Sequence, residues 1–563
     1  MALRCLLLAA LAALASASQS LASQSLASSQ SLSLAVNAPH LFLDLDGIAV
    51  STNLSINLGQ LSKDYASPVV APEQPWESFM MYYSSLLLVP AAQTGTGAPA
   101  YYLYYTCAAN LSNSENYVCL STSADGRAWA KPSLPAFPWA DGRPTNRVFS
   151  LGAGWPGAAF IDGGAPAAAR FKFTFSGNCG GTYGGVYFAA SPDGLFFPAP
   201  PNSSCVPLPP HYGDTQPAVF WDAPRSRYAL FGRGDAAAPG TANGCSAGAM
   251  RQVLVAFSTA GAERGYGNAS LLLNYGAPDQ PDCLDVYASV PLPLGPSALL
   301  LLPPSFRHLP AADSVAQNTN DGVLDVRLAV SRDGGATAAF VSRDAFLPRG
   351  SGAMTAPSTF TGDDDAGLVF ATAGGLVDPD ALAAAAGAAP SPPSPRVWLL
   401  YYATQRTHFP SYNPALGLPG FNGIMRAAMR REGFAGLRTP AAGDGVGAGA
   451  LRTLPLLVPQ PAAACGNASA QLWLLLNVQT SAAGGAAVAL LAPGSLAPLP
   501  GRALADAAVF VGDAVRAPVG WRAAAGGAPP VRDLAPFAGS EVVVLNSLVH
   551  AQLWAWEVQC VLA

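Results

Sequence analysis

The sequence predicts an all-β chain, a five-bladed β-propeller followed by a C-terminal β-sandwich, and three observations predict it. First, an alternating apolar strand ending in Ser-x-Asp-Gly, or a worn form of it, recurs five times. The copies are VCLSTSADG to Gly126, VYFAASPDG to Gly194, VLVAFSTAG to Gly261, VRLAVSRDG to Gly334 and IMRAAMRREG to Gly433. Successive markers lie 68, 67, 73 and 99 residues apart, and self-similarity of this kind marks a repeat architecture in which each unit is one blade. Second, an aromatic and aliphatic segment precedes every marker: YYLYYTC, RFKFTFS, RYALFGR, SALLLLP and VWLLYYAT. Third, the pattern stops after Gly433, and short alternating segments (QLWLLLNV, AAVALLA, SEVVVLNS, AQLWAWEV) follow a Gly/Ala-rich stretch.

The second segments are rich in residues that suit a pleated surface and are mostly bounded by Pro, Gly or Ser, as strands packed between blades should be. An inner strand is expected before each of them, in SFMMYYSSLLLV, GAAFID, QPAVFWD, DVYASVPL and GLVFATAG. The competing reading is an ordinary β-sandwich whose Asp-Gly hairpins recur by coincidence. Five ordered copies in register favour the propeller.

Residues 1–17 carry one positive charge, an apolar run and small residues at Ala15 and Ala17, which predicts a secretory signal peptide. Residues 18–37 are a low-complexity Ser/Gln/Leu tether, 38–440 the propeller and 441–563 the sandwich. No other apolar run reaches the roughly 18 residues that span a bilayer. The chain is 563 residues long with a net charge of −5 and only three lysines, so no basic face is expected for nucleic acid or an anionic membrane.

Nine cysteines are present, and removal of Cys5 with the signal leaves eight, an even number suited to an oxidising compartment. Their places in the repeat suggest four local bridges. Cys107 and Cys119 lie on neighbouring strands of the first unit, Cys179 and Cys205 flank a strand of the second, Cys245 and Cys283 bracket one in the third, and Cys465 and Cys560 belong to the C-terminal region. A metal site is the alternative, but no Cys-x-x-Cys spacing or His pairing points to one, and no metal or cofactor is expected. Asn53, Asn110, Asn202, Asn268 and Asn467 each begin an Asn-x-Ser acceptor sequence, which makes an extracellular glycoprotein the expected product.

A propeller is a scaffold, so function must be argued from its axial mouth, lined by the starts of the inner strands. Glu77 in PEQPWES, Asp214 in YGDTQPAVFWD and Asp285 in DCLDVYASV are the acids so placed in units one, three and four. Units two and five offer none. Glycoside cleavage needs two carboxyl groups across the scissile bond, one protonated and one ionised. Glu77 as acid or base, Asp214 as its partner and Asp285 as a neighbour that tunes them meet that requirement. The plainer alternative is that each caps a turn or anchors a strand. Trp76, Tyr287 and His408 are the candidate substrate contacts, because sugar rings expose C–H faces that stack on aromatic rings. Asp125, Asp193 and Asp333 of the markers are read as hairpin-turn residues with no chemistry.

The segments LFLDLDGIAV, SPVVAPEQPWES, GDTQPAVFWDAPRSRY and LDVRLAVSRDG with FLPRG, together with the C-terminal strands, resemble secreted glycoside hydrolases of the family 32 and 43 type. The likeness runs in order from Leu41 to the C-terminus. It implies a five-bladed propeller with an appended sandwich and a carbohydrate as the partner. Family 32 fructosidases carry Trp-Met-Asn-Asp-Pro-Asn-Gly, Arg-Asp-Pro and Glu-Cys motifs that are absent here, so the sugar stays open. Two further readings stand beside the hydrolase: a catalytically inactive extracellular carbohydrate-binding or interaction protein on the same fold, and a structural matrix protein with no convergent acids. Oligomeric state is not legible.

Overall fold

A computed structural model describes residues 32–33, 36–109, 116–152, 154–179, 182–200, 205–207, 216–237, 249–275, 284–295, 298–388, 392–413, 416–440, 447–522 and 529–561. The expected signal peptide lies outside these residues, as do Asp214, Cys245, Cys283, Asn110 and Asn202. The chain is all-β, with five blades and a sandwich. It divides into two compact units, one of residues 61–294 and 298–429, the other of 1–60, 295–297 and 430–563.

Blades 1 to 3 are antiparallel ribbons in which neighbouring segments pair in sequence order. Blade 1 pairs Phe79–Val89, Ala100–Ala108, Tyr117–Ser123 and Arg147–Ser150. Blade 2 pairs Trp155–Ile161, Phe171–Cys179, Thr182–Ser191 and Val206–Pro207. Blade 3 pairs Ala218–Asp222, Arg227–Ala237, Ala249–Ser258 and Ser270–Leu273. In blade 4 the strands break, giving Leu284–Val286, Pro304–His308 and Gly322–Val326 in one sheet and Pro291–Leu294, Ala298–Leu301, Ala329–Ser331 and Ala339–Phe340 in another. Pro291, Pro293, Pro303 and Pro304 interrupt this stretch, and a proline cannot donate to a ladder.

Blade 5 is closed from the front of the unit. Leu368–Val377, Arg396–Thr404 and Asn422–Arg430 come from the last repeat, but the outermost strand is Ser62–Asp64, paired antiparallel to Asn422–Arg430. The closing strand is held by side chains as well. Arg426 donates to Asp64 Oδ2 at 2.8 and 3.0 Å, Lys63 pairs with the fully buried Asp365, and the Tyr65 hydroxyl donates to Asp365 at 3.0 Å. Joining the first strand to the last blade ties the ring without a covalent bond.

The aromatic segments fill the spaces between blades. Tyr102, Tyr104, Phe149, Phe171, Phe173 and Phe175 form one buried cluster between blades 1 and 2. Phe231, Val253, Val255, Leu299 and Leu301 form another between blades 3 and 4. Each such side chain contributes about 1.5–3 kcal/mol through burial. The recurrent marker is the turn that follows the third strand of a blade. Ser123 Oγ accepts from the Gly126 N–H at 2.8 Å, and Asp125 Oδ1 accepts from the N–H groups of Arg127 and Ala128 at 2.7 and 2.9 Å. Ser191 with Asp193 repeats the arrangement, and Ser331 with Asp333 forms a wider version in which the Gly335 and Thr337 N–H groups donate. Gly126, Gly194 and Gly334 have φ of 72°, 75° and 68°, a conformation that favours glycine, which is why the motif ends as it does.

In the second unit two 21-residue strands, Gln471–Leu491 and Glu541–Val561, pair along most of their length. Residues 38–60, expected in the propeller, are part of this sheet instead. His40–Leu41 pairs with Glu541–Val561, Ile48–Thr52 with Ala448–Thr453, and Ser55–Leu58 with Ala435–Arg438. The core gathers Phe42, Trp521 and Trp556 with Leu472, Leu474 and Leu553. The buried Trp521 indole finds its acceptor in Val488 O at 2.9 Å.

Three of the four expected bridges fall on described residues and are present: Cys107–Cys119, Cys179–Cys205 and Cys465–Cys560, with Cα separations of 5.9, 5.7 and 5.8 Å. Asn53, Asn268 and Asn467 are exposed. No helix among the described residues is long and apolar enough to cross a membrane.

Candidate functional site

The expected site residues divide between two places. Trp76 and Glu77 close a short 3-10 helix, Pro75–Glu77, just before the inner strand of blade 1. Glu77 is wholly buried, and both of its oxygens are used. Oε1 accepts from the Tyr105 hydroxyl at 2.5 Å and Asn146 Nδ2 at 3.1 Å, and Oε2 accepts from Lys131 Nζ at 2.7 Å and the Gln74 N–H at 3.2 Å. These partners come from the second strand of blade 1, the approach to its fourth, the loop between third and fourth, and the turn before the first. Trp76 is equally enclosed. Its indole donates to Asn146 Oδ1 at 2.6 Å, Arg143 lies over its ring at 5.2 Å, and Trp139 packs at 5.6 Å. Neither residue presents a face to a ligand.

Asp285, Tyr287 and His408 come together, with residues the sequence did not single out. Asp285 lies on the inner strand of blade 4, and its Oδ2 accepts from Arg251 Nη1 at 2.8 Å and His308 Nε2 at 2.9 Å. Arg251 belongs to the third strand of blade 3 and His308 to the second strand of blade 4, so the carboxylate bridges two blades. Asp285 Oδ1 takes no hydrogen bond among the described residues. His308 Nδ1 is buried and likewise has no partner among them.

Beside this triad runs a chain of hydroxyls and imidazole. Tyr83 and Tyr287 hydroxyls are 3.2 Å apart, Tyr287 and His408 Nε2 are 2.9 Å apart, and His408 Nδ1 lies 3.1 Å from Asn320 O. Burial, reinforced by Arg251 and then Arg233 and His308, holds the His408 pKa well below its usual 6.5, so the ring is neutral at neutral pH. A carbonyl can only accept, so His408 Nδ1 carries the proton, Nε2 accepts from Tyr287, and Tyr287 in turn accepts from Tyr83. Asn320 joins both parts, because its side-chain oxygen also accepts from Arg251 Nη2. Tyr287 is 3% exposed and His408 2%. Phe306, Phe370 and Tyr412 pack against these two rings, and Arg233 and Arg251 lie over Tyr287 at 5.1 and 5.3 Å. They frame the site from within rather than offering open stacking platforms.

Toward the axis the inner strands meet through small polar groups. Ser84 and Thr372 hydroxyls are 2.8 Å apart, the Ala159 N–H donates to Ser85 Oγ at 3.0 Å, and Gln216 donates to Ser84 O at 3.4 Å. What the cluster offers chemically is one carboxylate oxygen without a bond among the described residues, on a group fixed by the Arg251 guanidinium of blade 3 and the His308 imidazole of blade 4. Arg251 and His308 escaped the sequence reading because they sit inside strand patterns at positions that look like ordinary polar alternation.

No family model matches the sequence, and no curated protein matches it. Several solved structures are similar. A thermostable family-43 glycoside hydrolase aligns over 65% of this chain and 96% of its own, at 13% identity and a TM-score of 0.36. The β-1,2-mannobiose phosphorylase of Listeria innocua, solved with β-1,2-mannobiose, aligns over 66% and 97% at 10% identity and a TM-score of 0.39. A fructofuranosidase of Schwanniomyces occidentalis, complexed with fructosylnystose, aligns over 90% and 100% at 11% identity and a TM-score of 0.35. At such distances the likeness assigns no activity and no residue.

Proposed function

We propose that the chain is a secreted, N-glycosylated glycoside hydrolase that holds its sugar over Asp285 and cleaves an O-glycosyl bond with a carboxylate pair. The observation that carries this reading is the unequal use of the two buried acids. Asp285 has one oxygen that takes no hydrogen bond among the described residues, whereas both oxygens of Glu77 are occupied. Asp285 is therefore taken as the fixed carboxylate of the pair, and Asp214, expected from the sequence to partner Glu77 and four residues before the inner strand of blade 3, is reassigned as its partner. Arg251 and His308 are positioning residues that set the direction of the Asp285 carboxylate. Glu77 becomes the anchor of blade 1.

Such a pair needs one group to donate a proton and the other to attack or to activate water, and the separation of the two decides between retention and inversion. The alternative is a carbohydrate-binding protein without turnover. It is favoured by the enclosure of Glu77, which leaves Asp285 as the one expected acid among the described residues with an oxygen not taken by a hydrogen bond there.

The test is a screen of the secreted protein against aryl glycosides, fructans and arabinans, followed by Asp285→Asn, which keeps shape. Turnover in the wild type and a fall of ~100-fold or more in kcat, with the far-UV spectrum unchanged, is the expected result. Undiminished activity in the variant would remove Asp285 from the reaction. Binding of a polysaccharide without turnover would establish the alternative.

A further inference from the structure

A cavity of about 350 Å³ lies away from the Asp285 cluster, at the seam where the ring closes. Its floor is the segment that leaves the closing strand Ser62–Asp64 and passes to blade 1. That segment is fastened to blade 5 by the bonds Val69 N to Ile424 O at 2.7 Å and Ile424 N to Val70 O at 2.9 Å. Arg426 of blade 5 forms one wall, and Ser121, Arg127, Trp129 and Lys131 of blade 1 form the other, with Glu73 at the edge. The chain around Ala130 is extended, since Ala130 exchanges backbone hydrogen bonds with Thr122 at 2.8 and 2.9 Å. Trp129 and Lys131 flank Ala130 on this extended stretch, where side chains alternate, and they line the cavity together with Arg127 from the preceding turn, while Ala128 and Ala130 do not.

The three side chains are differently committed. Arg127 is exposed, lies over the Trp398 ring at 5.2 Å, and makes no ion pair among the described residues. Lys131 binds the buried Glu77 at 2.7 Å and Glu73 at 3.0 Å, and the Glu73 side chain is 68% exposed. An ion pair so open to water contributes at most about 1 kcal/mol, so an incoming anion can replace Glu73 at little cost. The Trp129 indole N–H is covered and has no acceptor among the described residues, so no hydrogen bond fixes the ring against adjustment.

We propose that this seam cavity binds a saccharide carrying a uronate group. The indole would take the C–H face of the sugar ring, and the carboxylate would sit between the Arg127 guanidinium and the Lys131 ammonium in place of Glu73. A neutral sugar would use only the ring. The site is separate from the mouth over Asp285, and its occupation does not depend on turnover there.

Calorimetric titration of the intact secreted protein with trigalacturonate, at low and at moderate salt, tests this. The expected result is saturable binding that weakens as salt rises, about 5-fold weaker in Arg127→Gln and about 10-fold weaker in Trp129→Ala. In Glu73→Gln, which removes the competing carboxylate, binding should be tighter by about 2-fold or more. Asp285→Asn should leave it unchanged, which separates this site from the one proposed for turnover. Absence of binding, equal affinity for the methyl-esterified trimer, indifference to Arg127→Gln, or loss in Asp285→Asn would each overturn the proposal.

Discussion

Glu77 and Asp285 are both buried carboxyl groups placed beside the inner strand of a blade, yet their surroundings are built to different ends. Glu77 takes four hydrogen bonds from blade 1 and its approach segment, two on each oxygen, and is sealed from solvent. Asp285 takes two on a single oxygen, from different blades, next to an imidazole whose Nδ1 has no partner among the described residues. A buried acid whose every lone-pair direction is filled by its own blade holds that blade together. One that is partly filled, by groups from several blades, is in a position to act on something else.

The largest effect that separates the two is thermodynamic. Glu77→Gln removes the charge that Lys131 faces from a position only 15% exposed, and a buried pair broken at one partner typically costs about 3–5 kcal/mol. Chemical denaturation should show that loss as a lower midpoint with an unchanged slope. The fraction that stays folded should retain full kcat on whatever glycoside the wild type turns over. A variant as stable as the wild type but inactive would return Glu77 to the chemistry and reverse the comparison.

Much of the fold was legible because its physics is local. Aromatic and aliphatic runs named the second strand of blades 1, 2, 3 and 5 and part of that of blade 4, and the turn chemistry of Ser123 with Asp125 and Ser191 with Asp193 recurs because the same backbone donors need the same acceptors. What stayed hidden depends on pairing at long range. Ser62–Asp64 is too short and polar to announce itself as the closing strand of blade 5, and its partner Arg426 lies more than 350 residues away. Residues 38–60 carry no mark that assigns them to the C-terminal sheet rather than to blade 1. At the site, an acid at the start of an inner strand singled out Asp285, and the structure shows it bridging two blades through Arg251 and His308. The same criterion could not foresee that Tyr105, Asn146 and Lys131 would converge on Glu77.

A second, smaller effect sharpens the comparison through pH. His408 is neutral in the folded protein because burial and the nearby Arg251, Arg233 and His308 hold its pKa well below 6.5. Its ring also meets Tyr287 and Tyr412. The unfolded chain protonates this histidine below about pH 6.5 and the folded one does not, so stability falls as pH drops through that value. One such proton changes the slope by up to about 1.4 kcal/mol per pH unit. His408→Gln can still accept from Tyr287 and donate to Asn320 O. Between pH 6.5 and the pKa of the folded protein, its stability should therefore fall less steeply than that of the wild type. Parallel profiles would mean that His408 is protonated in the fold, which would also reverse the direction of the Tyr83, Tyr287 and His408 chain.

The smallest effect belongs to a third kind of carboxylate, one engaged only by its own turn. Asp125 accepts from the N–H groups of Arg127 and Ala128, and these two bonds, in that order, hold its pKa below the usual 3.8. Asp125→Ala leaves both donors on an exposed loop where water can replace the carboxylate, so the loss is about 1 kcal/mol, the net worth of such bonds. Because the native pKa is depressed, the contribution is complete above the unfolded value and disappears as pH falls below about 3.8 and through the native one. Thermal melts of wild type and variant should therefore differ at pH 7, and the difference should shrink as pH falls below about 3.8. The variant also loosens the backbone that carries Arg127 and Trp129 while leaving Glu77 and Asp285 untouched. It should weaken trigalacturonate binding with no change in kcat. A loss of several kcal/mol would show that the turns, rather than the buried acid of blade 1, set the stability of the blade.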